Sequence, residues 1–113
     1  MKILVTGGLG FIGSALIRMA ISKGYKIVNV DCLTYAGNVK NLQSIKNHPN
    51  YSFEKVDIRN KIKLNTIFEK YKPDKVMHLA AETHVDRSID SPENFIETNI
   101  NGTFNILEIA KGY

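Results

Sequence analysis

Apolar positions along this chain switch between two spacings, short unbroken runs and stretches that recur every three or four residues. Lys2 to Thr6 is a β-branched run ending at a glycine cluster, and the helix-length apolar stretch Phe11 to Lys23 follows it. Lys26 to Val30 predicts a second strand that stops at Asp31. Cys32 to Asn50 is polar, with at most a short helix around Asn41 to Lys46. Tyr51 to Val56 predicts a third strand, and Asn60 an N-cap for a helix whose apolar face is Leu64, Ile67, Phe68 and Tyr71, ended by Pro73. Lys75 to Ala80 predicts a fourth strand. Ser91 as N-cap with Pro92 at the first helical position opens a last helix reaching the C-terminus. No repeat or low-complexity tract interrupts the pattern.

Strands alternating with helices at this spacing imply right-handed crossovers and a parallel sheet with helices on both faces. The expected fold class is α/β, a truncated Rossmann-like doubly wound sheet of about four strands in the order 3-2-1-4. Residues 1–113 then form a single, partial domain.

Composition narrows the picture. The 113 residues include 43% hydrophobic and 23% charged positions, near globular averages, and no apolar run reaches the length of a membrane span or a signal-peptide core. The expected location is the cytoplasm. One cysteine, Cys32, forms no internal disulfide and builds no multi-cysteine metal site. The net charge of +4 rests on 15 Lys and Arg, of which 12 are scattered lysines without a basic run, so no nucleic-acid partner is expected. His48, His78 and His84 lack a metal-ligand spacing, and no metal is predicted; His78 reads as a strand histidine satisfied by its neighbours.

The candidate chemistry begins at Gly7-Gly8-Leu9-Gly10-Phe11-Ile12-Gly13. This reads as Gly-x-Gly-x-x-Gly from Gly8 and as Gly-x-x-Gly-x-x-Gly from Gly7, and both registers share Gly10 and Gly13. Such a loop needs a glycine for a sharp turn, one where backbone amides approach a pyrophosphate, and one where helix packs on strand. An ordinary glycine-rich turn looks the same in isolation; here a strand precedes it and a helix follows. Asp31 stands eighteen residues after Gly13, at the end of strand two, where a carboxylate can accept hydrogen bonds from both ribose hydroxyls of an adenosine. That carboxylate would repel a 2′-phosphate, and Cys32 and Leu33 bring no cation to bind one. The expected cofactor is NAD rather than NADP.

Three further stretches carry a specific resemblance: Asp31-Cys32-Leu33-Thr34-Tyr35-Ala36-Gly37-Asn38, His78-Leu79-Ala80-Ala81-Glu82-Thr83-His84-Val85-Asp86-Arg87-Ser88, and Phe95-Ile96-Glu97-Thr98-Asn99-Ile100-Asn101-Gly102-Thr103. With the glycine loop, they make the whole chain resemble the extended short-chain dehydrogenase/reductase superfamily, and within it the dTDP-glucose 4,6-dehydratase family. Related epimerases and GDP-mannose dehydratases share the Leu-Ala-Ala core, while the His-Val-Asp-Arg-Ser continuation is the most diagnostic part. The resemblance implies a lyase of nucleotide-sugar metabolism, in the deoxysugar and rhamnose pathway, that is homodimeric. It takes hydride from sugar C4 to NAD, eliminates water across C5 and C6, and returns the hydride to C6. It further implies a cofactor site made of Gly7, Gly10 and Gly13, with Phe11 and Ile12 over the pyrophosphate, Asp31, Cys32, Leu33 and Thr34 at the adenosine ribose, and Asp57 and Ile58 beside the adenine. Leu79, Ala80, Ala81, Glu82 and Thr83 would leave strand four at the ligand crevice, and Thr98 would touch the cofactor. Thr83, where the family usually has serine, would also meet the nucleotide sugar, dTDP-glucose. From the residues alone, Asp57 reads equally as a turn aspartate, Ile58 as core, and Thr98 as a helix hydroxyl bonded to its own backbone. For Asp86 and Arg87 a mutual surface pairing and a substrate contact both fit; no catalytic role is assigned to them or to His84.

The family's chemistry uses a Tyr-x-x-x-Lys pair on a helix, where the lysine lowers the tyrosine pKa. Tyr51 and Lys55 match in text but fall on a strand, about 13 Å apart. Tyr71 and Lys75 straddle Pro73, which cannot sit inside the required helix. The Thr-Asp-Glu acid pair used to eliminate water has no counterpart either. The expectation is therefore an NAD-binding portion without catalytic residues, inactive alone; it would be a truncated or split dehydratase, or else a stand-alone NAD-binding subunit needing a complementary half, a fragment of another nucleotide-sugar dehydratase or epimerase, or a non-binding relic. The last helix agrees: Ile96, Ile100, Thr103, Phe104, Leu107 and Ala110 form one arc that Phe95, Ile106 and Ile109 widen to roughly 220°, more than one sheet face can bury. Strand four likewise reads as an interior strand without an outer neighbour. Poor stability or aggregation is expected.

Overall fold

The computed structural model describes residues 1–32, 42–79 and 101–112. Within them the chain forms β1 (Lys2–Thr6), α1 (Phe11–Ser22), β2 (Lys26–Asp31), β3 (Tyr51–Lys55), α2 (Lys61–Tyr71), β4 (Lys75–His78) and α3 (Thr103–Gly112). The four strands make one parallel sheet in the order β3-β2-β1-β4. Lys2 pairs with Lys26, Ile3 with Lys75 and Ile27 with Tyr51, which sets the three registers. The expected topology is the one observed.

Strand alternation divides the core between two faces. On one, Ile3, Val5 and Ile27 meet Leu9, Ile17, Ala20 and Ile21 from α1 and the turn before it. On the other, Leu4, Val28 and Val30 meet Leu64, Ile67 and Phe68 of α2 and Ile106 and Ile109 of α3. Because β1 and β2 are covered on both faces, their sequences read as continuous apolar runs. Each fully buried side chain of this kind contributes about 1.5–3 kcal/mol relative to exposure. The flanking strands β3 and β4 are only half-buried.

Helix ends follow the sequence signals. The Asn60 side chain accepts a hydrogen bond from Lys63 N at 3.1 Å, capping α2 as expected. The helix stops at Tyr71, two residues before Pro73, through Lys72 in a left-handed conformation whose N–H donates to Phe68 O. Tyr51 and Lys55 lie on β3, and Pro73 separates Tyr71 from Lys75, so neither textual pair shares a helix.

Where at most a short helix is expected, over Asn41 to Lys46, the chain from Leu42 onward is chiefly turns: Ile45 N donates to Leu42 O and His48 N to Ile45 O. Ser44, Asn47 and Pro49 favour such local turns over a continuous helix. In α3 the apolar surface exceeds what the fold buries, in line with the wide arc read from the sequence: Ile106 and Ile109 are buried, while Phe104 and Leu107 are 56% and 63% exposed and Ala110 is exposed too. Ile106 and Ile109 pack with Leu64, Ile67 and Phe68 of α2, and just before α3 any Cβ on Gly102 would collide with the Ile58 side chain. The start of the last helix at Ser91 and Pro92 falls outside the described residues.

Candidate functional site

The carboxyl end of β1 delivers the glycine loop. Gly7 turns with φ of +72°, a conformation that favours glycine, and its N–H remains tied to Val30 O at 2.9 Å. Gly10 N then donates back to Gly7 O at 3.2 Å, closing the turn, and Ser14 N donates to Gly10 O as α1 begins. A Cβ on Gly13 would meet Gly7 O and come within 2.8 Å of Gly8 Cα. This glycine is what lets helix and loop touch.

Two side chains of β2 hold the loop from behind. Asn29 Oδ1 accepts from Gly8 N at 3.0 Å, and Asp31 Oδ2 accepts from Leu9 N at 3.1 Å. Residues 29 and 31 point to the same side of the strand as Ile27, the α1 side. Asn29 Nδ2 donates in turn to the Tyr51 hydroxyl at 3.1 Å. Burial raises the Tyr51 pKa, against the hydrogen bond from Asn29 that lowers it, so the phenol stays neutral.

The arrangement suits the pyrophosphate of a dinucleotide. The first-turn amides of α1, at Phe11, Ile12 and Gly13, have no acceptor within the helix, and the helix dipole adds partial positive charge there. The Phe11 and Ile12 side chains are 89% and 71% exposed at that helix start. A Cβ on Gly10 would touch only Gly7 O, at 3.4 Å, among the described residues. The fold itself therefore tolerates a side chain at position 10, and its absence keeps the approach to these amides open.

The remaining expected residues divide as follows. Asp31 ends β2 in the expected place but is largely buried, with one oxygen committed to the loop. The Cys32 thiol is half-buried; burial first, then the Asp57 and Asp31 carboxylates, push its pKa up. Asp57 forms a local pair with Arg59, whose Nη2 and Nε donate to Oδ2 at 2.6 and 2.9 Å and whose N–H reaches Oδ1 at 2.9 Å. Burial pushes the Asp57 pKa up, but these Arg59 hydrogen bonds outweigh it and hold the group below its usual value. Ile58 is core, buried against Gly102. Leu79 follows β4, with its N–H shared between Thr6 O and Thr6 Oγ1, both at 3.0 Å. Leu33, Thr34, Ala80, Ala81, Glu82, Thr83, His84, Asp86, Arg87 and Thr98 lie outside the described residues.

Two polar residues around the site were not singled out from the sequence. Asn29 is one; a lone amide inside the run Lys-Ile-Val-Asn-Val-Asp was the available signal. Gly8, which opens one register of the glycine motif, is fitted to it, because a Cβ there would run into Asn29 Oδ1 and Ile17 Cδ1. Asn105 is the other, donating from α3 to Ile58 O and Arg59 O at 3.0 and 3.1 Å and so fixing the loop after β3. His78 is satisfied by its neighbours as expected: Nδ1 pairs with Thr6 Oγ1 at 2.6 Å and Nε2 with Thr103 Oγ1 at 2.9 Å. Burial lowers its pKa. Among the described residues, no group of three or more His, Cys, Asp or Glu side chains could hold a metal ion, and no helix is long and apolar enough to cross a membrane.

A parallel sheet in the order 3-2-1-4, with a glycine loop between its first strand and first helix and an acidic residue ending the second strand, is a Rossmann-like fold of the doubly wound α/β class. Residues 4–113 match the model of the GDP-mannose 4,6 dehydratase family, and the chain belongs to that family. Its curated relatives include the dTDP-glucose 4,6-dehydratases of Neisseria meningitidis, 58% identical over 99% of this chain, and Haemophilus influenzae, 57% identical over 100%. The matches cover 32% and 34% of those proteins, so the chain spans about a third of their length, corresponding to their N-terminal part. Among solved structures, the Bacillus anthracis dTDP-glucose 4,6-dehydratase in complex with NAD superposes with a TM-score of 0.88 at 42% identity, covering 100% of this chain and 34% of that one. The Thermotoga maritima UDP-glucose 4-epimerase with UDP-glucose superposes with 0.90 at 38%, covering 100% and 35%.

Proposed function

We propose that this chain is the NAD-binding portion of a dTDP-glucose 4,6-dehydratase-like nucleotide-sugar enzyme. The observation that carries the reading is the glycine loop, pinned by Asn29 and Asp31 so that the open amides of α1 stand at the carboxyl edge of the sheet. Near-equal superposition on a dehydratase and an epimerase leaves the reaction class to the sequence. There, identity of 58% and 57% to curated dehydratases favours the dehydratase.

In this proposal Gly7, Gly10, Phe11, Ile12 and Gly13 bind the pyrophosphate, and Asp31 with Cys32, Leu33 and Thr34 takes the adenosine ribose. Asp57 and Ile58 flank the adenine, the latter through its backbone since its side chain is core. Residues Leu79 to Thr83 and Thr98 complete the cofactor side, with Thr83 also at the sugar. NAD bound there would supply a hydride acceptor. The residues of this chain bind and orient it, and the acid and base chemistry on the dTDP-sugar is assigned to a further stretch of a cytoplasmic, homodimeric enzyme that residues 1–113 do not contain. Calorimetric titration of the chain with NAD and NADP tests the reading. Saturable binding of NAD with markedly weaker NADP binding is expected, and no heat with either at high micromolar concentration would remove the binding proposal. Turnover of dTDP-glucose on adding a C-terminal half, without turnover by either part alone, tests the rest.

A further inference from the structure

Asn29 sits in the carboxyl half of β2, fully buried, between Val28 and Val30, which face the opposite side of the sheet. Packing alone would be served by an aliphatic residue of similar volume, because the same face is otherwise lined by Ile27, Val5 and Ile17. A carboxamide there is tolerated only if its polar atoms find partners. Its partners are the N–H of Gly8 on one side and the Tyr51 hydroxyl on the other, and among the described residues no buried side-chain nitrogen or oxygen lacks one.

The loop is built around this side chain. Gly8 approaches so closely that a Cβ would collide with Asn29 Oδ1. Together with the Asp31 contact to Leu9, two residues spaced i, i+2 on one strand face turn two consecutive loop amides inward. With those amides directed to the strand and Gly10 N closing on Gly7 O, the amides left facing outward are those of the first turn of α1. Loop and helix start are one rigid piece, since Gly13 packs on the backbone of Gly7 and Gly8.

We propose that Asn29 is a positioning residue of the cofactor site: held by the Tyr51 hydroxyl, its carboxamide fixes Gly8 and thereby the direction in which the α1 amides meet a pyrophosphate. The proposal rests on the dinucleotide reading above and deepens it. It separates the two ends of the ligand. Asn29 governs the phosphate contacts, whereas the adenosine end is left to Asp31, the last residue of β2, and to residues after it.

The test is titration of the chain with NAD, ADP-ribose and adenosine. Asn29→Ala is expected to weaken NAD and ADP-ribose about tenfold, with adenosine changed less than about twofold. Val28→Ala, on the opposite face of the same strand, serves as a control of comparable core loss and is expected to leave all three affinities in place. Tyr51→Phe keeps the carboxamide but removes what steadies it, so a loss of about threefold for NAD and ADP-ribose alone is expected. This variant also carries the test if Asn29→Ala does not fold. The proposal is overturned if the two variants bind NAD as the parent does, if adenosine affinity falls in parallel with NAD, or if Val28→Ala reproduces the pattern. A parent chain that binds neither NAD nor ADP-ribose overturns the cofactor reading itself, and the positioning role with it.

Discussion

Polar side chains cluster in two regions of this molecule, and they are treated in opposite ways. At the carboxyl ends of the strands, Thr6, Asn29, Asp31 and His78 are buried or half-buried, and three of them accept a hydrogen bond from a loop amide. Around Tyr71, at the end of α2, Lys70 is exposed, Lys2, Glu54 and Tyr71 are only partly buried, and the polar groups bond chiefly to one another. There the Tyr71 hydroxyl donates to Glu54 at 2.5 Å, Lys70 Nζ lies 3.2 Å from the same carboxylate and 5.0 Å from the Tyr71 ring, and Lys2 Nζ donates to Tyr71 O at 2.9 Å. A buried donor that loses its partner keeps its full desolvation cost, while an exposed one turns to water. The first region therefore specifies backbone geometry, and the second adds a modest amount of stability without specifying a site.

The comparison breaks most sharply at Gly13. A larger residue there pits side chain against backbone, Gly7 O and Gly8 Cα, neither of which can swing away as a flexible side-chain end could. Gly13→Val is expected to cost on the order of 2–4 kcal/mol of stability and to reduce NAD affinity by roughly a hundredfold. Thermal denaturation and titration measure the two separately.

The next largest effect is a pH dependence centred on His78. Burial lowers its pKa below the ordinary 6.5, so between the folded and unfolded values the unfolded chain binds more protons than the folded one. The stability contribution is complete above the unfolded value and is lost as pH falls through the ordinary histidine range towards the folded value. Denaturant midpoints should decline from pH 7.5 to 5.5 in the parent, and the decline should flatten in His78→Gln. A parent midpoint that rises on acidification would contradict the burial argument.

How much of this was legible in the sequence depends on whether a residue's role was local or came from packing. Lys2–Thr6, Lys26–Asp31 and the Asn60 cap could be read because the apolar run and the capping residue act within a few positions of themselves. The strand order followed from handedness, which every crossover obeys. The buried side of α3 could not be read, since the helix carries apolar residues around most of its circumference and the partners of Ile106 and Ile109 are Leu64, Ile67 and Phe68, about forty positions earlier on α2. Within the site, the glycines were visible as a motif, but Asn105 and the bonding of Asn29 depend on loops brought together only by the sheet. Asp57 was legible as a turn aspartate, whose carboxylate accepts from the N–H two residues on, while the Arg59 guanidinium folding back onto it was not.

The smallest predicted effect belongs to the Tyr71 cluster and sharpens the contrast from the other side. The Tyr71 hydrogen bond is the main cause holding the Glu54 carboxyl below its ordinary 4.5, with Lys70 adding to it against the effect of burial. A depressed carboxyl contributes stability above its unfolded pKa and loses it as pH falls through the folded value, so this cluster weakens only below about pH 4.5. Tyr71→Phe removes the hydroxyl and leaves the ring beneath Lys70 and Lys2, and it should cost at most about 0.5 kcal/mol at neutral pH, less in high salt. NAD affinity should not move. If Tyr71→Phe instead weakened NAD as much as Tyr51→Phe, the distinction between polar groups that hold loops and polar groups that hold each other would fail, because the only chemical difference between the two changes is where the lost hydroxyl stood.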